Sequence, residues 1–105
     1  MKILVKISDQ AVSDLFTGHG GEYASAWLAF IEEIGEGRYR IEYDPEAERS
    51  FLSKMTFGPD DIAKGLGIMA QESPRQFGQF LAGDADDLTF DIALQCVVFG
   101  EVIYG

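Results

Sequence analysis

The sequence predicts an α+β domain in which a small antiparallel sheet of about three strands packs against a long N-terminal helix and a C-terminal helical region. Two patterns carry this expectation. Some segments alternate apolar and polar residues, and others repeat apolar residues at helical spacing. The chain has 105 residues and is 47% hydrophobic, which is enough to bury one core. We therefore expect a single domain over residues 1–105.

Three segments are predicted to be strands. Residues 2–7 and 38–44 alternate apolar and polar side chains, which is typical of a strand with one buried face. Residues 50–57 alternate less regularly but have a similar apolar content. Pro45 ends the second segment, so we expect a loop over 45–49 to join the second and third strands as a hairpin.

A long N-terminal helix is predicted over residues 22–34, because apolar side chains recur there on one helical stripe. The stripe consists of Tyr23, Trp27, Phe30, Ile31 and Ile34. Glycines at 35 and 37 are expected to end this helix. A shorter helical segment is predicted after the potential N-cap Ser8, and the glycines between 18 and 21 predict a turn or hinge.

The C-terminal half is predicted to be helical. Pro59 suits the first turn of one helix, and the pair Ser73-Pro74 suits the start of a second. A last helix is expected over 88–99, with Gly100 ending it. Residues 102–104 are then an apolar segment that we expect to dock on the body of the domain.

Apolar residues give each of these helices a buried face. The first has Ile62, Leu66 and Met69 on one stripe, and the second is expected to turn Phe77, Phe80 and Leu81 inward. Gly65 and Gly67 weaken the first helix, which predicts that another element packs closely against it.

The charge balance is strongly acidic. Eighteen Asp and Glu residues face eight Lys and Arg residues, so the formal net charge is -10. Such a field opposes binding to nucleic acid and to anionic membranes, and it steers the protein toward basic surfaces. Acidity that serves only solubility is the alternative.

The sequence also bears on the expected location of the protein. Met1 leads directly into a strand-like segment, no apolar run is long enough for a membrane span, and Cys96 is the only cysteine. We therefore expect a cytoplasmic protein.

No motif for catalysis, metal binding or cofactor binding is recognisable. His19 is the only histidine, and the glycines around it lack the Lys and Ser/Thr of a phosphate-binding loop. Asp84, Asp86 and Asp87 resemble the start of a calcium loop without its required Gly and Glu. We therefore expect no enzyme activity, no cofactor and no metal.

Three acidic clusters are the candidate partner-binding residues. They are Glu32, Glu33 and Glu36; Glu42, Asp44, Glu46 and Glu48; and Asp84, Asp86 and Asp87. On an extended strand, the second cluster would form a row of carboxylates about 6.7 Å apart, on the scale of a nucleic-acid backbone. A solvated hairpin turn is the alternative there, and capping of the last helix is the alternative for the third cluster. The first cluster would lie at a helix C-terminus, where acid opposes the helix dipole.

Both ends of the chain resemble a group of small phage and prophage proteins of uncharacterised role. The resemblance is carried by Lys64-Gly65-Leu66, Met69-Ala70, Ser73 to Phe77, Asp91, Leu94-Gln95, Phe99 to Gly105, Val5 to Asp9, Asp14-Leu15 and the pair Gly20-Gly21. Gln76 stands where this pattern has His.

The resemblance implies an accessory protein of a mobile element, acting in the cytoplasm of the host cell. Small acidic proteins of that kind include anti-CRISPR proteins that mimic DNA, whose partner is the basic nucleic-acid-binding surface of an effector complex. Two other functions remain open. A phage-encoded binder of defence nucleotides would need Arg38, Arg40 and Arg75 for phosphates, and a structural phage protein would self-assemble through residues 102–104.

Overall fold

The computed structural model of the chain describes residues 7–17, 27–44 and 52–104. Within them the elements run in the order α1 (Asp9–Thr17), β1 (Leu28–Gly35), β2 (Arg38–Tyr43), β3 (Ser53–Phe57), α2 (Pro59–Glu72), α3 (Pro74–Leu81) and α4 (Asp87–Phe99). The three strands form one antiparallel sheet in the order β1-β2-β3. The α+β class and the three-stranded antiparallel sheet are therefore confirmed.

The long N-terminal helix is not supported. The N-terminal helix is α1, which has only nine residues, and most of the segment predicted to be helical forms β1 instead. Residues 22–26 of that prediction lie outside the described residues. β1 pairs with β2 through Ile31 opposite Ile41 and Glu33 opposite Tyr39. Hydrogen bonding to a neighbouring strand is a tertiary interaction, and tertiary interactions can override a local helical pattern.

A tight turn at Glu36 and Gly37 makes this pairing possible. Gly37 has a φ of +70°, a left-handed conformation that glycine adopts without steric cost. The turn brings Arg38 opposite Gly35 and starts β2 immediately. The glycines predicted to end a helix therefore form the reversal of a hairpin, and the apolar spacing before them belongs to a strand.

The other predicted strands have different outcomes. The predicted strand at 38–44 corresponds to β2, and the described part of the one at 50–57 contains β3. β2 and β3 pair in antiparallel register from Tyr39–Phe57 to Tyr43–Ser53, and residues 50–51 lie outside the described residues. The predicted loop at 45–49 lies outside the described residues. So do residues 2–6 of the predicted first strand, and Ile7 belongs to no helix or strand. The strand that joins β2 and β3 in the described sheet is β1.

The C-terminal helices begin and end close to their predicted positions. α2 begins at Pro59, where the Asp61 carboxylate accepts a hydrogen bond of 3.1 Å from the Gly58 backbone N–H. α4 ends at Phe99, and the left-handed conformation of the capping Gly100 lets its N–H reach the Cys96 carbonyl. Leu81, predicted to turn inward, is 44% exposed because it is the last residue of α3 and has no further turn to cover it.

An aromatic cluster fixes α1 to the rest of the fold. The ring of Phe16 meets those of Tyr39, Phe57 and Phe90 edge-on, at centroid distances of 5.3, 5.8 and 6.2 Å. Edge-to-face pairs at such distances add specific attraction to the burial of their area. α1 is thereby held against the sheet and α4, and its N-terminal half lies across a cleft from the start of α2.

A buried hydrogen-bond network docks the C-terminal segment. The Trp27 indole N–H and the Gln95 amide both donate to the Asp91 carboxylate, at 2.9 and 3.0 Å. The same Gln95 amide donates to the Tyr104 carbonyl, and its oxygen accepts from the N–H groups of Ile103 and Tyr104. The full hydrogen-bonding capacity of Gln95 is thus used, and the predicted docking of residues 102–104 is confirmed.

Candidate functional site

The outer face of the sheet carries positive and negative charges in near balance. Arg40 forms an ion pair with Glu32 at 2.5 Å, and Lys54 approaches Glu42 at 3.8 Å. The Arg40 guanidinium also lies 5.7 Å from the centre of the Phe30 ring. Glu32 and Glu42, two of the predicted site residues, therefore each face a cation on a neighbouring strand.

This arrangement segregates charge across the described surface. Three of its five Lys and Arg residues lie on the outer sheet face together with two carboxylates. These residues are Arg38, Arg40, Lys54, Glu32 and Glu42. Elsewhere in the described part of the chain, eleven carboxylates that are not buried share the surface with only two cations. Those cations are Lys64 and Arg75. The rest of the described surface is consequently strongly negative, and we call it the negative side.

A cleft of about 950 Å³ lies on this negative side, between α1, the β1–β2 turn and the first half of α2. Carboxylates from three separate elements line it, namely Asp9, Glu33 and Glu36. No Lys, Arg or His is found among the described residues of its lining. The apolar part of the lining includes Val12, Ile62, Leu66 and Phe77. We call this feature the acidic cleft.

Glu33 is held in a fixed position in the wall of the acidic cleft. Its Oε1 atom accepts hydrogen bonds from the Ser13 hydroxyl of α1 and the Tyr39 hydroxyl of β2, each at 3.1 Å. Burial raises the pKa of Tyr39 to about 12, and the hydrogen bond to the Glu33 carboxylate acts in the same direction. The Tyr39 hydroxyl therefore remains a donor across the physiological pH range. The Glu33 carboxylate of β1 is thereby bound to both α1 and β2.

The first predicted cluster is divided by the strand that contains it. Glu32 points to the outer sheet face, whereas Glu33 and Glu36 line the acidic cleft. The expectation that these residues surround a helix C-terminus is wrong, because the segment forms the strand β1. Successive residues of a strand point to opposite faces, which separates Glu32 from Glu33. Asp9, the first residue of α1, joins the cleft from that helix.

The second predicted cluster does not form a straight exposed row in the described residues. Glu42 lies on the outer sheet face, but Asp44 is only 4% exposed and donates its backbone N–H to the Trp27 carbonyl. Its alternation with Glu42 is broken because β2 ends at Tyr43. Glu46 and Glu48 lie outside the described residues.

The third predicted cluster lies at the N-terminus of α4. The Asp86 carboxylate accepts hydrogen bonds of 2.9 Å from the Thr89 backbone N–H and from its hydroxyl. The bond from this N–H holds the pKa of Asp86 below its usual value. Asp84 is exposed, and Asp87 is half-buried in the first turn. Capping by Asp86 confirms the structural role considered for this cluster, and Asp86 is exposed like Asp84.

The residues of the alternative functions are dispersed or engaged. Arg40 pairs with Glu32 on the outer sheet face, while Arg75 lies at the start of α3. In the C-terminal segment, Val102 and Tyr104 pack against the core and Ile103 is 49% exposed. His19 lies outside the described residues.

The described residues contain neither a metal-binding group nor a membrane-spanning helix. In the described ranges, no three His, Cys, Asp or Glu side chains are grouped so as to hold a metal ion. Nor does any helix there have the length and apolar character needed to cross a membrane.

No protein-family model, curated protein or solved structure matches this chain.

Proposed function

We propose that this protein is a non-enzymatic acidic inhibitor that binds the basic nucleic-acid-binding surface of a host defence complex. The most specific form of the proposal is an anti-CRISPR protein that mimics DNA and blocks target binding in the host cytoplasm. The observation that carries it is the segregation of charge. Away from the outer sheet face, eleven unburied carboxylates accompany two cations in the described part of the chain.

The physical basis is competition for a positive channel. A CRISPR effector holds nucleic acid in a channel lined with Lys and Arg, and a strongly negative folded domain is steered to the same surface. Carboxylates pair with Arg through strong, often bidentate hydrogen bonds. The same negative surface repels DNA and RNA, so direct binding to nucleic acid is not part of the proposal.

The predicted site residues do not contribute equally to this proposal. Glu33, Glu36 and Asp84 are exposed on the negative side and are the first candidates for contact. Glu32 and Glu42 already face cations, so their removal is expected to matter less.

Binding to purified CRISPR effector complexes of several types tests the proposal. The protein is immobilised, and effector capture is measured at low and moderate salt with and without target DNA. We expect capture that weakens with salt and is displaced by DNA, because both ligands occupy one positive surface. Capture of no effector, or capture that DNA leaves unchanged, would contradict the proposal.

A matched pair of variants tests the location of the contact. Glu36→Gln with Asp84→Asn removes two charges from the negative side, and Glu32→Gln with Glu42→Gln removes two from the outer sheet face. Both variants change the net charge equally. We expect effector capture to fall mainly in the first variant, whereas equal losses would show that only total charge matters.

A further inference from the structure

The acidic cleft differs from the other acidic surfaces because it is concave and partly apolar. We propose that it binds an Arg side chain together with apolar neighbours, presented by a short segment of a partner protein. The identity of that partner rests on the function proposed above, but the chemistry of the cleft stands independently. The cleft would then be the place where a general electrostatic attraction becomes a specific contact.

The charges of the lining select a cation. Three carboxylates line the acidic cleft, and none of its described lining residues is basic. An anion such as a phosphate would be repelled by these three carboxylates. A cationic side chain that enters gains several carboxylate partners in a partly enclosed space, where ion pairs are stronger than on an open surface.

The apolar lining selects a cation with a hydrocarbon body. Val12, Ile62, Leu66 and Phe77 offer surface that a bare metal ion or a small ammonium ion would not cover. An Arg side chain buries its methylene stem while its planar guanidinium reaches carboxylates and stacks on aromatic rings. A cleft of about 950 Å³ has room for more than one side chain, so neighbouring apolar residues of the same segment fit as well.

One carboxylate is already oriented for this contact. Both hydrogen bonds to Glu33 end on Oε1, from Ser13 and from Tyr39. Its second oxygen, Oε2, accepts no such bond from another described residue, so it keeps its capacity for an incoming donor. A fixed acceptor loses little conformational freedom on binding, and this preorganisation favours affinity.

Direct binding of labelled peptides tests the proposal. The probe is a short peptide that carries Arg and Leu residues, and its fluorescence anisotropy is measured with the full chain. Matched peptides replace Arg by Glu, Arg by Lys, or Leu by Ser. We expect the Arg–Leu peptide to bind most tightly, the Lys and Ser peptides more weakly, and the Glu peptide not at all. Equal binding of the Arg–Leu and Arg–Ser peptides would overturn the apolar part of the proposal.

Two kinds of variant locate the binding site. Glu33→Gln with Glu36→Gln removes charge from the acidic cleft, while the new amide at position 33 keeps an oxygen that accepts the bonds from Ser13 and Tyr39. We expect at least about a tenfold loss of peptide affinity, the usual scale for losing charge-assisted pairs. The control, Glu72→Gln with Glu101→Gln, removes two exposed charges outside the cleft lining and should have little effect. Equal losses in both variants would overturn the proposal.

A steric variant gives a second, independent test. Ala63 is exposed and lines the acidic cleft, so Ala63→Trp fills the cleft without removing charge. We expect it to abolish peptide binding at unchanged thermal stability, and unchanged binding would overturn the proposal. Sedimentation of the unmodified chain checks the competing occupant, and self-association that Ala63→Trp abolishes would assign the cleft to a second copy instead.

Effector capture separates this proposal from the function on which it builds. If effectors bind the Ala63→Trp and cleft-charge variants normally, the acidic cleft is not the contact site, and the inhibitor function still stands. If no effector binds while the Arg–Leu peptide is held specifically, the cleft proposal stands and the inhibitor function fails.

Discussion

Two glycines of α2 provide the sharpest test of the packing, because they lie two residues apart in very different surroundings. A Cβ atom at Gly65 would collide with Val97 Cγ2 and would lie 2.7 Å from the Cα and 2.9 Å from the backbone N of the same residue. A Cβ atom at Gly67 would have no heavy atom within 4 Å. The same Gly→Ala change is therefore expected to have opposite effects at the two positions.

At Gly67 the substitution removes only the entropic cost of glycine in a helix. We expect Gly67→Ala to stabilise the protein by about 0.5–1 kcal/mol. At Gly65 the same gain is offset by overpacking, which typically costs about 1–3 kcal/mol. Two of the three close contacts are with Val97 backbone atoms, which cannot rotate away, so we expect a net loss of about 1–2 kcal/mol.

Urea unfolding monitored by the single tryptophan, Trp27, measures both effects. A difference of about 2 kcal/mol between the variants corresponds to roughly 8–16 °C in melting temperature for a domain of this size. Combining Gly65→Ala with Val97→Ala removes the contact to Cγ2, so the combined loss should be smaller than the sum of the two single losses. Gly65→Ala that stabilises as much as Gly67→Ala would refute the close packing of α2 on α4.

Three further predictions concern buried polar groups. Gln95→Leu leaves the backbone groups of Ile103 and Tyr104 without their partner and should cost about 2–3 kcal/mol in urea unfolding. Tyr39 should titrate near pH 12 in an ultraviolet titration of the phenolate. Because its folded-state pKa is raised, the stability it contributes is complete below pH 10 and is lost as the pH rises toward 12. Burial raises the pKa of the Cys96 thiol to about 11, so the folded protein has about 100-fold less thiolate near neutral pH than an ordinary cysteine. Cys96 should therefore react with thiol reagents only after unfolding.

A specific result would contradict each of these predictions. A Gln95→Leu variant no less stable than a Glu101→Gln control would show that the C-terminal segment does not depend on the network. A set of four tyrosines that all titrate near pH 10 would contradict the burial of Tyr39. Rapid labelling of Cys96 at full native stability would show that α4 is accessible in the folded protein.

Local signals explain why the C-terminal half could be predicted well. Pro59 fits the first turn of α2 because its missing N–H has no partner there in any case, and Gly100 ends α4 through its left-handed conformation. The alternation around β2 correctly placed Tyr39 and Ile41 inside. These features depend on a few neighbouring residues, so they can be predicted from the sequence before the fold is known.

β1 could not be predicted in the same way. Its apolar residues satisfy a helical spacing, yet Phe30 is 37% and Ile34 is 47% exposed, so they do not form one buried face. The choice between helix and strand depends on pairing with β2, and that pairing depends on the turn at Gly37. A glycine turn next to alternating residues was the signal for this hairpin, but the helical spacing concealed it.

Composition and short-range patterns specify the total charge, the helices of the C-terminal half and the antiparallel pairing of β2 with β3. Which charges act together depends instead on the tertiary structure. It placed Glu32 beside Arg40 and turned Glu33 to the opposite face, where Asp9 and Glu36 join it. The reason is geometric: successive residues of a strand face opposite sides, and Asp9 reaches the acidic cleft because Phe16 holds α1 against the sheet.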